Sequence, residues 1–319
     1  VTSKNHDVKM ARIGAEAAEA WMYALLLLQT TSGVLGQGNY GIVRMNGGFA
    51  SRSVVSWTRS LHPSRRFIDE VGALQQLRPR VCQEFNYKPQ GVALTWLTHW
   101  DRSGHQHLLQ HLEPWFIETA RPVRLALTPD GSVIALGTTS KGRQIGPKRQ
   151  EQGYVGDAGT PLKVQDKKKG RSALTLSADG FTPQRLTDLL FEQGFELTAL
   201  QRPQPGDGSG WFVASCLVRG QGTTDGFHRI ELPVPPRARL ALFNKESRDT
   251  LAHLAQALLT DAKAVQKALG TALTVLAEGG PDKADFERVE NCLKGARKDF
   301  GLRWEAIYFP TLWRGAEED

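Results

Sequence analysis

The sequence is poor in the residues that make many functions easy to recognise. It has three cysteines in 319 residues, Cys82, Cys216 and Cys292, an odd set without C-x-x-C spacing. That pattern excludes a disulfide framework and a cysteine-type zinc cluster, and it points to a reducing, cytoplasmic setting. Long apolar runs are also lacking. The longest, "ALLLL" within "WMYALLLLQ", falls far short of the roughly 20 residues a spanning helix needs, so no membrane partner is expected. No secretory leader is expected. It has no G-x-S-x-G, H-E-x-x-H or Walker-type motif, and the carboxylates Asp101, Glu113 and Glu118 form no evident catalytic pair. Ser215-Cys216 lies within a strand pattern, where a cysteine reads as buried core and not as a nucleophile.

Histidines cluster at His99, His105, His107 and His111, the last two at helical i,i+4 spacing. A metal site would need a further ligand placed by the fold, such as Cys82. Trp96, Trp100, Trp115 and Phe116 surround the histidines and suit a packed surface equally well. No metal and no cofactor are therefore expected.

What is present is positive charge and glycine. The net charge of +7 and pI near 9.4 favour a polyanionic partner. The segment "SGVLGQGNYGIVRMNGGF", Ser32 to Phe49, contains G-x-G-x-x-G-x-V from Gly36 to Val43. That string occurs in kinase phosphate loops and, in its first six letters, in dinucleotide folds. The dinucleotide fold requires a strand before the loop. Here "ARIGAEAAEAWMYALLLLQ" precedes it, a helix pattern over Val8 to Gln29 whose expected inner face carries Ala15, Ala18, Met22, Leu25 and Gln29. Gly33 is placed to cap that helix. The kinase reading lacks the V-A-I-K lysine, H-R-D and D-F-G. A bare backbone able to approach another polymer explains the glycines better, since they lack the Cβ that would hold it away.

The remaining pattern is mixed. A shorter helix is expected from Arg65 to Leu77, and a hairpin from Val123 to Gly137 around Pro129-Asp130-Gly131. The polar, basic stretch Thr138 to Arg171 contains "KGRQIGPKR" and "KVQDKKKGR", which are expected to be mobile loops. "TPQRLTDLLFEQ" reads as a capped helix, and Trp211 to Val218 as a strand that turns through "GQGTTDG" into "FHRIELPVP". A long helix follows from Ser247 to Glu278, with Leu251, Leu254, Leu258, Val265, Leu269, Leu273 and Leu276 on one stripe. "GGPD" ends it, and a second helix carries Phe286, Val289, Leu293, Ala296, Phe300, Trp304 and Ile307. These two helices should pack antiparallel. Lys294, Arg297 and Lys298 lie on the outer surface as candidate non-specific DNA contacts or as a solvated face. The fold class is α+β: a mixed body over 1–240 with glycine-rich loops and hairpins, then a helical region over 241–319 that looks like an incomplete bundle.

Several of these segments carry a family resemblance. "ALLLLQTTSGVLGQGNYGIVRMNGGFASR" resembles the glycine-loop region of the CasA-type large subunit of type I-E CRISPR Cascade. "LEPWFIETARPVRL", "GDAGTPL", "LVRGQGTTDGFHRIELPVP" and "ALFNKESRDTLAHLAQALLTDAKAVQKAL" are similar to later segments of that family, in the same order. The family's large subunit is longer at both ends and usually has four bundle helices. The resemblance implies a non-enzymatic DNA-surveillance subunit. Its partners would be guide RNA, the other Cascade subunits, double-stranded target DNA and the CRISPR helicase-nuclease. It would read the short motif beside a target, the PAM, from the minor groove, and help open the duplex for guide pairing. By that resemblance Gly36, Gln37, Gly38, Asn39 and Arg44 would approach the PAM. Thr223, Thr224 and Asp225 occupy the wedge position, with Gln221 the nearest amide. Lys4, Asn5 and His6 would contact guide RNA or the complex. Two alternatives stand beside it: a nucleotide-binding enzyme using the G-x-G-x-x-G loop, and a guide-RNA scaffold indifferent to DNA flanks.

Overall fold

A computed structural model describes residues 18–31, 51–99, 107–119, 123–137, 146, 154–164, 171–204, 206–220, 223–280 and 289–318. The chain forms two compact units. The first comprises Val1–Phe181, Gly194–Pro205 and Trp211–Leu232, and the second Thr182–Gln193, Gly206–Gly210 and Pro233–Asp319. Helices and strands are both well represented, and the class is α+β as the sequence implied.

Among the described residues the first element of the first unit is α1 (Ala18–Thr31). The expected inner face of α1 is only partly realised. Gln29 is buried, Leu25 is half-buried, and Ala18 and Met22 are exposed. The helix is apolar nearly all round, so periodicity alone could not select its buried face. Two short strands follow, β1 (Ser51–Arg52) and β2 (Val54–Thr58). β2 is rich in β-branched and aromatic residues, which suit a pleated surface. It is buried on both faces, with Val55 and Trp57 on one and Ser56 and Thr58 on the other.

α2 (Pro63–Phe85) starts with proline in its first turn, where the missing N–H costs nothing. The expected end at Leu77 is corrected: the helix continues through Pro79 to Phe85. Proline there forfeits a backbone bond. Burial of Val81, with Cys82 and Phe85 packed in the same cluster, offsets that loss. β3 (Val92–Leu94) and β4 (Leu112–Ile117) pair in parallel beside it. Their cluster contains Val81, Tyr87, Leu112, Phe116 and Val155, and the Tyr87 hydroxyl donates to the Val155 carbonyl at 2.7 Å. A Cβ on Gly91 would lie 2.5 Å from the Leu112 carbonyl carbon, so the chains meet there at glycine.

β5 (Val123–Leu127) and β6 (Val133–Gly137) form the expected antiparallel hairpin. Gly131 takes φ +82° in its turn, and the Thr128 hydroxyl donates to the Ser132 carbonyl at 2.8 Å. Of the expected mobile loops, Lys163 and Val164 instead lie in a strand, as does Arg171, and residues 154–161 lead into the first of these strands without regular structure. There Val155, Ala158 and Leu162 are buried, because this short stretch brings apolar residues to the core. It runs into β7 (Leu162–Val164), followed by β8 (Arg171–Ala173), β9 (Thr175–Leu176) and β10 (Phe195–Glu196). Residues 138–145, 147–153 and 165–170 lie outside the described residues. β7 is the centre of a three-stranded sheet flanked by β10 and β8, and β1 pairs with β9. β11 (Gly210–Gly220) and β12 (Thr223–Val234) complete the strands. β11 lies between β12 and β2, in register from Trp211 opposite Thr58 to Ser215 opposite Val54.

The second unit is helical. α3 (Pro183–Leu190) is capped as expected: the Thr182 side chain accepts from the Arg185 N–H at 3.3 Å. After α4 (Pro236–Phe243), Asn244 caps α5 (Lys245–Glu278), its side chain accepting from the N–H groups of Glu246 and Ser247. Gly279 closes α5 at φ +77°. α6 (Glu290–Glu318) returns antiparallel, since the Tyr308 hydroxyl near its end donates to the Ala255 carbonyl near the start of α5 at 3.4 Å.

The expected stripes are corrected in part. Val265 and Leu276 of α5 are exposed at 55% and 78%, while Ala255 and Leu259 are buried beside Leu251. Val289, just before α6, and Leu293 within it are buried as expected, but Ile307 is exposed and Tyr308, Phe309, Leu312 and Trp313 take the inner positions. Phe286 lies outside the described residues. An i,i+4 row rotates around a helix, so a stripe drawn from hydrophobicity drifts off the packed seam over many turns.

Burial of Tyr308 pushes its phenol up to about 12, against the opposing hydrogen bond from Thr187 at 2.7 Å. The unfolded phenol titrates near about 10. Between those values the unfolded chain releases a proton that the folded chain keeps, so stability is complete below pH 10 and falls toward pH 12. Thermal melts above pH 10 should show a shallower decline for Tyr308→Phe than for the wild type. Parallel curves would show that other groups set the alkaline limit.

Candidate nucleic-acid interface

The best-defined candidate surface is the outer face of β12. Alternate residues Asp225, Phe227, Arg229 and Glu231 are exposed, while Leu232 and Val234 are buried. This is the two-residue period of a strand with one face covered. Phe227 is 64% exposed, a large aromatic on an open strand. Arg229 pairs with Glu231, its Nε donating at 2.8 Å. An exposed aromatic and a guanidinium on one face can stack on a base and meet a phosphate. Sequence reasoning misses Phe227; the alternation in "TTDGFHRIEL" is the available signal.

On the other face His228 is held close to glycine. A Cβ on Gly180, whose φ is +67°, would meet the His228 Nδ1 at 2.3 Å, so only glycine lets the ring sit there. The His228 Nε2 is buried without a hydrogen-bond partner.

The sequence places Thr223, Thr224 and Asp225 at a projecting tip. In the structure they instead open β12 as strand residues, leaving Gln221 and Gly222, outside the described residues, between the strands. β-Branched threonines favour the strand, and short connections dominate hairpins. Gly36, Gln37, Gly38, Asn39 and Arg44 lie outside the described residues, as do Lys4, Asn5 and His6. On α6, Lys294 and Lys298 are exposed. Arg297 is partly engaged, one Nη donating to both Glu290 carboxylate oxygens at 2.9 and 3.0 Å.

α1 ends at a cavity of about 270 Å³, where Gln29 and Thr30 line one side and Trp115, Phe116, Glu118 and Asp157 others. Trp115 adopts φ +61°, and its indole N–H donates to the Gly156 carbonyl at 2.8 Å. Asp157 receives an ion pair from Arg52 at 3.0 Å. Glu113, unassigned in the sequence, pairs with Arg78.

His105 lies outside the described residues, and His107 and His111 do not share a helical face. His111 closes a 3₁₀ turn, Leu109–His111, and His107 Nε2 lies 3.1 Å from the Thr98 hydroxyl. Burial, followed by the nearby charge of His111, holds His107 below the ordinary imidazole value. Among the described residues no group of three or more His, Cys, Asp or Glu side chains could hold a metal ion. Cys216 is buried as expected, and burial pushes its thiol up to about 11, the opposite of nucleophile activation. No helix among the described residues is long and apolar enough to cross a membrane.

The arrangement is that of an α+β body with an exposed strand face and a unit of antiparallel helices. No protein-family model and no curated protein matches the sequence. Solved structures do match. The chain is similar to one structure of Thermus thermophilus CasA (Cse1) at 16% identity and TM-score 0.50, covering 95% of this chain and 65% of that one. It is also similar to a second Thermus thermophilus CasA crystal structure at 17% identity and TM-score 0.57, covering 98% of this chain and 64% of that one. The chain therefore has a CasA-like fold and spans a little under two thirds of the length of these proteins.

Proposed function

We propose that this chain is the non-catalytic large subunit of a type I-E CRISPR Cascade complex. In this reading it inspects the PAM beside a target, helps open the duplex for guide-RNA pairing and recruits the helicase-nuclease. The CasA-like fold over nearly the whole chain carries the reading. The glycine-loop resemblance, the exposed face of β12 and the net charge of +7 support it. Guide pairing reads the long sequence in such systems, so the protein need read only a short flank and backbone shape. Gly36, Gln37, Gly38, Asn39 and Arg44 would face the flank, and the start of β12 would stand at the first opened base pairs.

The test is co-assembly with guide RNA and the other Cascade subunits, followed by titration of duplex targets that differ only in the flank. A preference for one flank is expected. Equal affinity for all flanks would favour a guide-RNA scaffold, and ATP hydrolysis by the chain would favour a nucleotide enzyme. Salt titration in the same assay tests α6. Every phosphate that a side chain ceases to neutralise reduces the salt slope by about 0.9. Lys294→Ala with Lys298→Ala should therefore lower it by about 2 and weaken all duplexes alike. Arg297→Ala should change it less, because Glu290 already engages that guanidinium. An unchanged slope in the double variant would leave those lysines a solvated face.

A further inference from the structure

β5 and β6 form a sheet of two strands, and no other strand pairs with either among the described residues. A sheet of two strands is marginal in water by itself. The Thr128 N–H donates to the Ser132 carbonyl at 2.9 Å, so these residues form a hydrogen-bonded pair at the mouth of the turn. Bonded and non-bonded pairs alternate along an antiparallel ladder, so Leu127–Val133, Leu125–Ala135 and Val123–Gly137 are the non-bonded ones. The N–H and C=O groups of Val133, Ala135 and Gly137 therefore point away from β5, along an open edge. β6 is exposed from Ile134 to Gly137, and a Cβ built on Gly137 would meet nothing within 4 Å. Ile134 and Leu136 lie on one face of the strand and are 40% and 52% exposed. The strand has no charged residue and no proline, and its register with β5 is free of bulges. Charge, proline and bulges are the devices that keep an edge strand from pairing with another chain.

We propose that β6 is an interface between two copies of this chain, its open edge pairing antiparallel with the same edge of the second copy. The edge is self-complementary in one register. Ala135 lies opposite its own counterpart on the two-fold axis, and Val133 of one copy lies opposite Gly137 of the other. All three residues direct their main-chain groups outward, so about six hydrogen bonds form across the junction. Ile134 of one copy then stands opposite Leu136 of the other in the non-bonded pairs, where side chains approach most closely. The same strand thus satisfies the open main-chain edge and covers the exposed apolar side chains. The absence of charge on β6 leaves no like-charge contact at the axis. A patch that fits its own copy closes as a dimer and does not grow further. β6 and β12 belong to different sheets, and the pairing does not depend on the DNA reading of β12.

The experiment follows the mass of the full chain by sedimentation across the micromolar range. The wild type should pass from the 35.2 kDa of one chain to twice that mass as concentration rises. Ala135→Pro removes the central N–H of the edge, which β5 does not use, and should weaken the dimer by about tenfold or more. Ile134→Lys with Leu136→Lys, on exposed positions, sets lysines opposite one another across the axis and should weaken it to a similar extent. That variant keeps the test independent of the folding of Ala135→Pro. Mixing it with the Ile134→Glu, Leu136→Glu variant should restore a mixed dimer, because in this register each lysine faces a glutamate. A wild type that stays monomeric overturns the proposal. A dimer unchanged in the lysine variant, or a charge-swapped mixture that stays monomeric, overturns it as well. Amide-exchange protection of residues 133–137 only in the presence of other Cascade subunits would overturn it in favour of a strand supplied by a neighbouring protein.

Discussion

Replacing Thr223, Thr224 and Asp225 together with glycine is expected to slow strand opening on linear duplex targets by about thirtyfold, with assembly on guide RNA intact. The size follows from the work of opening. Separating stacked base steps costs a few kcal/mol, which an inserted protein group must offset. Losing about 2 kcal/mol of that offset is a factor of about thirty in rate. The three residues begin β12, so glycines there also weaken the strand. Two controls separate the effects. Melting temperature reports the strand, and targets with mismatched first base pairs remove the opening step. Permanganate footprinting should show slow opening on matched duplex and near-normal rates on the pre-opened one. Equal delay on both would locate the defect in folding. Wild-type speed on both would leave the start of β12 an ordinary strand.

Gly38→Asp is expected to weaken binding of flank-bearing duplex by about a hundredfold. A carboxylate brought against phosphates meets like charge, and such juxtaposition costs several kcal/mol. In the proposed reading the added Cβ would also bar a close backbone approach by the glycine segment. Gly38→Ala should fall between, losing the approach without adding charge. In the proposed reading, duplex lacking the flank should lose much less affinity, because it would gain little from the loop. Filter binding of the assembled complex to the two duplexes measures the difference. Matching affinities for mutant and wild type would remove Gly36 to Asn39 from the interface.

Features with short-range causes are legible in the sequence. The Thr182 cap, the Pro129-Asp130-Gly131 turn and the Gly279 stop each depend on a few neighbouring residues, and each is present. Features decided by distant partners are not. β2 is only five residues long, and its β-rich composition stands out only with β11 beside it. The sequence ends α2 before Pro79 because the local cost of proline is visible there and the core around Val81 and Phe85 is not. The packing of α3 with the C-terminal helices, marked by the Thr187–Tyr308 hydrogen bond across 121 residues, leaves no local trace. In the candidate interface, the residue types are readable, but the placement of Thr223 to Asp225 on a strand is not.

By itself the sequence determined the α+β class, the caps and turns and the basic charge, since these follow from local backbone chemistry and composition. Only the tertiary structure decided which apolar residues are buried. Met22, Val265, Leu276 and Ile307 face out, while Ala255, Leu259 and Tyr308 face in. It alone aligned Asp225, Phe227, Arg229 and Glu231 as one open face and sealed the Nε of Arg239 from solvent without a hydrogen-bond partner. Burial depends on what the rest of the chain brings alongside, and that information is distributed over the whole fold.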